Sequence, residues 1–333
     1  MNNNMILTSK LLEINPKIYC EQIESFIVSS FNDSNCKGIV VPISGGLDSS
    51  VVASLCARAI GKDKVIGLML PETFGNPEAN DYGKLIANHL KIKTIKKNIS
   101  PILRGLRTSS WFDSMISGRE RMKGVVLNHL HKQNHTTVSH YLDTLKGTLN
   151  PKSRKLVTRV NSIQRVRLIY SYKIANSLNY LLAGASNKTE QMVGLYVKYG
   201  IDDAADIMPL RNLYRSQLLQ LAEYMKLPND IIHRAPNPDI LPGVIDKYVD
   251  YFGIDSHVVD LILMGIQLKM SPNDIAIELG IDLNKALLIE EVVELNIKTQ
   301  YKAIAPEFIK KNHRTIEKTF CSYLQSVFLN LIT

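Results

Sequence analysis

Ile39-Val40-Val41-Pro42-Ile43-Ser44-Gly45-Gly46-Leu47-Asp48-Ser49-Ser50 is an apolar run that closes on a turn rich in serine and glycine. Ser50-Val51-Val52-Ala53-Ser54-Leu55 then begins an amphipathic helix. A strand, a sharp turn and a helix in this order build an anion site. Glycine at 45 and 46 admits positive φ and leaves backbone N–H groups open to an oxyanion. The helix after the turn aims unpaired N–H groups and its positive dipole end at the same point. Ser44 and Ser49 add hydroxyl donors. Asp48 would repel a bare phosphate, so its place in the loop implies a bridging Mg²⁺. The alternative is a plain strand-to-helix turn with Asp48 as an N-terminal cap. The stretch has neither the G-x-x-x-x-G-K-[ST] spacing nor a G-x-G-x-x-G after a strand, which argues against two other nucleotide folds.

Outward from this stretch, strands and helices alternate. Tyr19, Ile23, Phe26, Ile27 and Phe31 have helical spacing, which predicts a helix over 17–34 that Asp33-Ser34-Asn35 ends before a strand at 38–43. A second strand at 65–70 stops at Pro71, a helix covers 77–90, and a short strand lies at 93–95. This alternation predicts an α/β fold, a doubly wound parallel sheet with flanking helices. Ligands in such sheets gather at the carboxyl ends of strands, where Ser44 to Ser49 falls. Periodicity is weak over 100–160, read as an irregular basic insertion holding one helix at about 114–132 and then a mobile segment. Regular pattern resumes with a helix at 161–178, a strand at 180–184 and a helix at 212–226. Proline and glycine punctuate the stretch after 228, and a loop over 228–250 of that length reads as a lid. The expected division is an α/β domain over 1–265 and a C-terminal helical extension over 266–333.

With 45% hydrophobic and 21% charged residues in 333, the balance is that of a soluble globular protein. No apolar run reaches the roughly 18 to 20 residues of a membrane span. Met1-Asn2-Asn3-Asn4-Met5 is not a secretory signal, so a cytoplasmic location is expected. Cys20, Cys36, Cys56 and Cys321 form no C-x-x-C pair, so neither a zinc site nor a redox pair is indicated. Cys56 lies on the apolar helix face and reads as core. A net charge of +9 suits an anionic partner, nucleic acid or a polyphosphate substrate. The mild basic concentration between Arg104 and Arg167 reads as solvated surface.

Leu182-Ala183-Gly184-Ala185-Ser186-Asn187-Lys188-Thr189-Glu190 repeats the logic of the first turn. Glu190 could face Asp48 across the crevice and hold Mg²⁺ with it. Alone, it reads as an acidic residue answering a helix dipole.

Ser-Gly-Gly-x-Asp-Ser resembles the pyrophosphate loop of the N-type ATP pyrophosphatases, and several further blocks resemble ammonia-dependent NAD synthetase over about residues 17–310. Asn161-Ser162-Ile163-Gln164-Arg165-Val166-Arg167 is similar to that family's N-x-x-A-R-x-R helix, and Ala185 to Glu190 to its G-N-K-[ST]-E turn. Tyr196-Val197-Lys198-Tyr199-Gly200 with Asp206 resembles T-K-Y-G-D-x-x-x-D. Pro209-Leu210 to Leu213-Tyr214-Arg215-Ser216-Gln217 resembles P-[IL]-x-x-L-Y-K-[TS]-Q, and Gln300-Tyr301-Lys302 with Pro306 resembles E-[HY]-K-R-x-x-P. The resemblance implies that Ser44, Gly45, Gly46, Leu47 and Ser49 hold the ATP phosphates. It implies that Asp48 and Glu190 hold Mg²⁺, with Asp48 and Arg215 the candidate catalytic residues. Arg215 stands where the family keeps a phosphate-binding lysine, and Asn237 where a Thr or Ser of the lid meets phosphate or metal. Arg165, Lys198, Asp206, Tyr301 and Lys302 occupy positions that hold the dinucleotide.

The chain departs from the pattern in three places. One extra residue lies between Gly200 and Asp206, and Ala185 replaces the usual threonine or glycine. Where the lid usually reads G-Q-x-D-E, this chain has Gly243-Val244-Ile245-Asp246-Lys247, a charge reversal at Lys247. The expected reaction is adenylation of a carboxylate by ATP, then amination by ammonia, with deamido-NAD as substrate. Another carboxylate, such as a sugar acid or secondary metabolite, is the alternative. About 37 residues precede the first strand, so no fused glutaminase domain is expected and nitrogen comes as free ammonia or from a separate glutaminase. A homodimer is implied, with helices 17–31 and 161–178 as contributors. A tRNA-modifying pyrophosphatase is a rival, though thiolating relatives rely on cysteines this chain lacks as a pair. Ser271 to Ile281 looks like half of a helix-turn-helix, but the next helix, Asp282 to Glu291, is net negative and poor in base-reading residues, which argues against nucleic acid.

Overall fold

The computed structural model describes residues 7–73, 75–76, 78–106, 137–237 and 244–299. The helix expected at 114–132, Tyr301, Lys302 and the remainder of the C-terminal extension lie outside the described residues. Four parallel strands form one sheet: β1 (Gly38–Pro42), β2 (Val65–Met69), β3 (Lys93–Lys96) and β4 (Tyr180–Leu182), in the order β3-β2-β1-β4. Val40 is in register with Ile66 on one side and with Leu182 on the other, so β1 is paired along both edges. The chain leaves β1 toward β2 on one side and reaches β4 on the other. The carboxyl end of β1 is therefore the switch point where a crevice opens.

The pleat of β1 divides the core. Ile39 and Val41 face helices α1 (Pro16–Asp33), α2 (Leu47–Ile60) and α3 (Glu78–Leu90), within a cluster that includes Cys20, Ile27, Leu55, Cys56 and Ile86. Val40 faces the other way, packing with Leu68, Leu182, Leu103 of α4 (Ser100–Gly105), and Ile163 and Val166 of a later helix. Period-2 burial on both faces is what a sheet covered by helices on each side requires.

α2 begins at Leu47, three residues before the expected start at Ser50. Asp48 and Ser49 thus belong to its first turn, and Leu47 is buried beneath the loop. Only Gly45 of the two glycines takes positive φ, at +74°; Gly46 is the N-cap, extended at −83°. A Cβ on Gly45 would lie 2.4 Å from Cβ of Tyr82 and 2.8 Å from the Gly83 nitrogen, so α3 packs directly on the loop backbone.

The described part of the irregular insertion after residue 136 is more regular than its sequence suggests. Thr137–Lys146 is helical (α5), and the next helix, α6, runs from Pro151 to Leu178, ten residues earlier than the expected start at 161. Asn150 caps it by accepting from the Ser153 N–H at 2.9 Å, and Pro151 occupies the first turn. That is an ordinary helix start obscured by the basic character of the segment. After β4 come α7 (Lys188–Val193) and α8 (Arg215–Tyr224). The expected 228–250 loop carries two short helices, α9 (Asn229–Ile232) and α10 (Lys247–Phe252); residues 238–243 lie outside the described set.

α11 (Ser256–Gln267), α12 (Pro272–Leu279) and α13 (Leu283–Thr299) follow. Their buried face, with Leu263, Ile275, Ala286 and Ile289, shares one cluster with Leu7, Leu12, Tyr214 and Tyr248. The boundary placed at 265/266 does not coincide with a break in packing, because that cluster draws on both sides of it.

Gly45→Ala forces both a strained backbone and a clash with α3. The expected loss is about 2 kcal/mol or more, read as a lower midpoint in urea unfolding. At Gly46 an alanine Cβ meets only Ser44 Oγ at 3.3 Å, so Gly46→Ala should change stability by less than about 1 kcal/mol.

Candidate active site at the carboxyl end of the sheet

The loop after β1 is held by its own hydroxyls. Ser49 Oγ lies 3.2 Å from Ser44 Oγ, receives the Ser44 N–H at 3.3 Å and donates to the Gly46 carbonyl at 3.2 Å. The Gly46 N–H donates to Ser44 Oγ at 3.3 Å, and Ser50 donates to the Gly46 carbonyl at 2.8 Å. Ser44 and Ser49 therefore shape the loop as well as offering polar atoms to a ligand. Ser44 is exposed and Asp48 half-buried, so this face of the loop opens to the crevice.

From the β4 side, Asn187 reaches across. Its side-chain N–H donates to Asp48 Oδ1 at 2.7 Å while its Oδ1 accepts from the Glu190 N–H at 3.0 Å. Glu190 Oε2 in turn receives the Asn187 N–H at 3.3 Å, completing a capping box at the start of α7. One buried asparagine thus fixes both carboxylates that the sequence pointed to. Glu190 stands in the first turn of α7, and Asn187 links it to Asp48.

Two cations complete the cluster. Arg215, 4% exposed at the start of α8, places Nη1 3.4 Å from Asp48 Oδ2. Lys247, the first residue of α10, is half-buried with its ammonium on Glu190 Oε1. Burial works against the Lys247 ammonium, but the charges of Glu190 and Asp48 outweigh it and hold its pKa above the ordinary lysine value. Two carboxylates and two cations meet here, so these four side chains balance in charge; the carboxyl of Asp202 lies close enough to act on Glu190 as well. Tyr248, fully buried beside it, has a hydroxyl with no hydrogen-bond partner among the described residues. Burial, then the charge of Glu190, pushes that phenol's pKa well up. An orphaned buried hydroxyl costs about 1–3 kcal/mol, the kind of polar atom a ligand oxygen would satisfy.

Asp48 and Glu190 converge as a cation site should, and Tyr248 adds a spare oxygen. The positive charge now on the Glu190 side is Lys247, however, so the pair does not present two free carboxylates to Mg²⁺. Among the described residues no group of three or more His, Cys, Asp and Glu side chains could hold a metal ion.

The remaining candidates fall elsewhere. Arg165 donates through Nε and Nη2 to the Lys198 carbonyl, at 3.3 and 3.1 Å, so these two positions adjoin. Asp206 accepts from the Leu182 N–H at 2.8 Å and from the Tyr172 hydroxyl at 3.0 Å, tying down the carboxyl end of β4. Burial and that carboxylate push the Tyr172 phenol up to about 12. Asn237 is half-buried and follows Pro236, whose carbonyl receives the Lys247 N–H at 3.1 Å.

Sequence reasoning assigned no role to Asn187, Thr189, Lys247, Tyr248 or Asp260. Asn187 was legible as the first member of an N-x-x-E capping box. Asp260 had no local signal. It is 0% exposed on α11 and accepts from Thr189 Oγ1 at 2.5 Å, Ser216 N at 2.8 Å and Ser216 Oγ at 2.7 Å. Thr189 Oγ1 also receives the Arg215 N–H at 2.9 Å. One buried carboxylate therefore binds the first turns of α7 and α8, which carry Glu190 and Arg215. Burial raises its pKa even though those three bonds favour the ionised form.

A protein-family model described as NAD synthase matches residues 19–135 and 120–306. The NH(3)-dependent NAD(+) synthetase of Thermotoga maritima is 33% identical over 280 residues, covering 84% of this chain and 95% of the relative. That of Methanocaldococcus jannaschii is 31% identical over 290 residues, covering 86% and 93%. Among solved structures, NMN synthetase from Francisella tularensis aligns with a TM-score of 0.64 at 22% identity, over 89% of this chain and all of that one. NH3-dependent NAD synthetase from Campylobacter jejuni aligns at 0.60 and 21%, over 89% of this chain and 100% of that one. At these identities the structural likeness concerns the fold, which is the α/β architecture expected from the strand–helix alternation.

Asp260→Ala leaves the Thr189 and Ser216 donors without an acceptor. The expected loss is about 3 kcal/mol, measured by urea unfolding, whereas Asp260→Asn keeps one acceptor oxygen and loses less. Equal stability of Asp260→Ala and wild type would remove this residue from the frame of the site.

Proposed function

We infer the activity from one premise: this chain belongs to the NAD synthase family. It is an ATP-dependent amide-forming ligase that converts deamido-NAD to NAD⁺, with ammonia as the nitrogen source. The observation that carries this reading is the meeting of Asp48 and Arg215 at the N-terminal turn of α2, beside a glycine turn at the carboxyl end of the central strand.

The loop from Ser44 to Ser49 receives the β and γ phosphates, with backbone N–H groups and the α2 dipole facing the negative charge. Arg215 lies against them, as a guanidinium that stays charged at any working pH and can hold two oxygens at once. The substrate carboxylate oxygen attacks the α-phosphorus, and the bond from that phosphorus to the bridging α–β oxygen breaks. Pyrophosphate leaves with the electron pair, an acyl-adenylate forms, and the loop N–H groups and Arg215 meet the charge growing on the leaving group. Ammonia then adds to the acyl carbon, the bond to the AMP oxygen breaks, and a proton is lost to solvent as the amide forms. Mg²⁺, held by Asp48 and the phosphates with Glu190 at hand, would supply neutralisation of the pyrophosphate charge. Arg165, Lys198, Asp206, Tyr301 and Lys302 are assigned to the dinucleotide, and Asn237 to phosphate.

A second reading rests on Lys247. A cation where the family resemblance puts a carboxylate leaves room for another acid, such as a sugar acid or secondary metabolite. The chain also belongs in the cytoplasm and associates as a homodimer. Ile18 and Phe26 of α1 and Ile169 of α6, the last 70% exposed, support the second point. Light scattering should return twice the chain mass; a monomer at working concentration removes the dimer.

Incubation with ATP, Mg²⁺, ammonium and deamido-NAD should yield AMP and NAD⁺ in equal amounts. AMP formed only with a different carboxylate moves the substrate assignment to the second reading. In the same assay Asp48→Asn should turn over at least about 100-fold more slowly with its circular dichroism unchanged. Full activity of that variant sinks the role given to Asp48.

A further inference from the structure

Lys247 brings a half-buried ammonium to the place in the crevice where Asp48 and Glu190 converge. Its backbone is pinned: the N–H donates to the Pro236 carbonyl at 3.1 Å, and the preceding Asp246 caps α10 by accepting from Tyr248 N at 2.8 Å and Val249 N at 3.1 Å. Asp246 has its own anchor, since its N–H donates to Asp250 Oδ2 at 3.2 Å. The side chain therefore enters the crevice from a fixed helix start and ends on Glu190. We propose that Lys247 is a tethered cation filling the Glu190 side of the divalent-ion site, so that this chain takes a divalent ion only together with ATP, on Asp48 and the phosphates.

The inference rests on the reading of Asp48 and Glu190 as a cation-holding pair. Glu190 Oε1 holds the ammonium and Oε2 holds the capping N–H of Asn187. Asp48 Oδ1 is engaged by Asn187, and Oδ2 faces Arg215. A hard divalent ion needs several oxygen ligands of its own. It would also have to approach an ammonium and a guanidinium already beside those oxygens, a like-charge arrangement that a half-buried crevice screens poorly. ATP changes this balance by bringing phosphate oxygens and extra negative charge to the Asp48 side. Removal of the Lys247 charge changes it differently. The two carboxylates then outnumber the remaining cation, and the Tyr248 hydroxyl lacks a partner among the described residues.

The test is Mn²⁺ binding to the full chain, read as loss of the free-ion electron paramagnetic resonance signal. Without nucleotide, wild type should bind no Mn²⁺; with a non-hydrolysable ATP analogue, which chelates Mn²⁺ itself, wild type should lower the free-ion signal further than the analogue does without protein. Lys247→Met should bind Mn²⁺ without nucleotide, and Lys247→Met combined with Glu190→Gln should not. Nucleotide-free binding by wild type, or none by a folded Lys247→Met, overturns the proposal. If Lys247→Met fails to fold, the two wild-type measurements decide alone: binding only with the analogue supports it, and any other pattern overturns it. Amidation of deamido-NAD by the same wild-type preparation is read separately, so failure of this inference is distinguishable from failure of the assigned activity.

Discussion

Holding two carboxylates side by side, Glu190 buried and Asp48 half-buried, is the constraint to which the rest of this crevice answers. Each buried ion forfeits several kcal/mol of hydration, which a single partner repays only with good geometry and further hydrogen bonds. Here the compensation comes from separate parts of the chain. Asp48 starts α2, Glu190 lies in α7, Arg215 starts α8 and Lys247 starts α10. Asn187 joins the two acids directly through bonds of 2.7 and 3.0 Å. No one of these elements can shift without leaving a buried charge uncompensated. This coupling fixes the ends of β1 and β4 relative to each other at the switch point.

The helices beyond α10 belong to that frame. Asp260 of α11 holds Thr189 and Ser216, and through Thr189 the Arg215 backbone. Lys188 donates to Gln267 at 2.9 Å, and the Tyr214 hydroxyl donates to the same oxygen at 2.7 Å. α12, which with its turn resembles half of a helix-turn-helix, and α13 turn Ile275, Ala276, Ala286 and Ile289 into the shared core. Its job in this fold is to brace α11, which in turn braces the crevice.

The fold was legible where local chemistry dictated it. The Ile39 to Ser50 stretch announced strand, turn and helix because a buried strand ending in glycines leaves few other conformations. What it misjudged was the start of α2 and the second glycine, since a helix N-cap and a positive-φ residue both admit glycine. The start of α6 was written in Asn150-Pro151 but masked by weak apolar spacing. The candidate residues Asp48 and Glu190 were found because each follows a strand and a turn, and Arg215 because its block resembles the family's P-[IL]-x-x-L-Y-K-[TS]-Q. Lys247 was noticed only as a departure from pattern, and Asp260 not at all. Their contacts span 57 residues to Glu190 and 71 to Thr189, and no local periodicity encodes a partner at such a distance.

The neutrality of the cluster bears on how a polyanion can be received. Two carboxylates matched by Arg215 and Lys247 leave no local surplus of positive charge to draw in a triphosphate. Attraction must come from backbone N–H groups at the start of α2 and from the chain's net charge of +9 acting at longer range. Such a site favours an anion that arrives already partly neutralised over one that is bare. A loop that also carried unmatched lysines would hold the pyrophosphate product as strongly as the substrate. Internal balance leaves the cluster itself with little pull on a polyanion and places the discriminating contacts on the groups outside it.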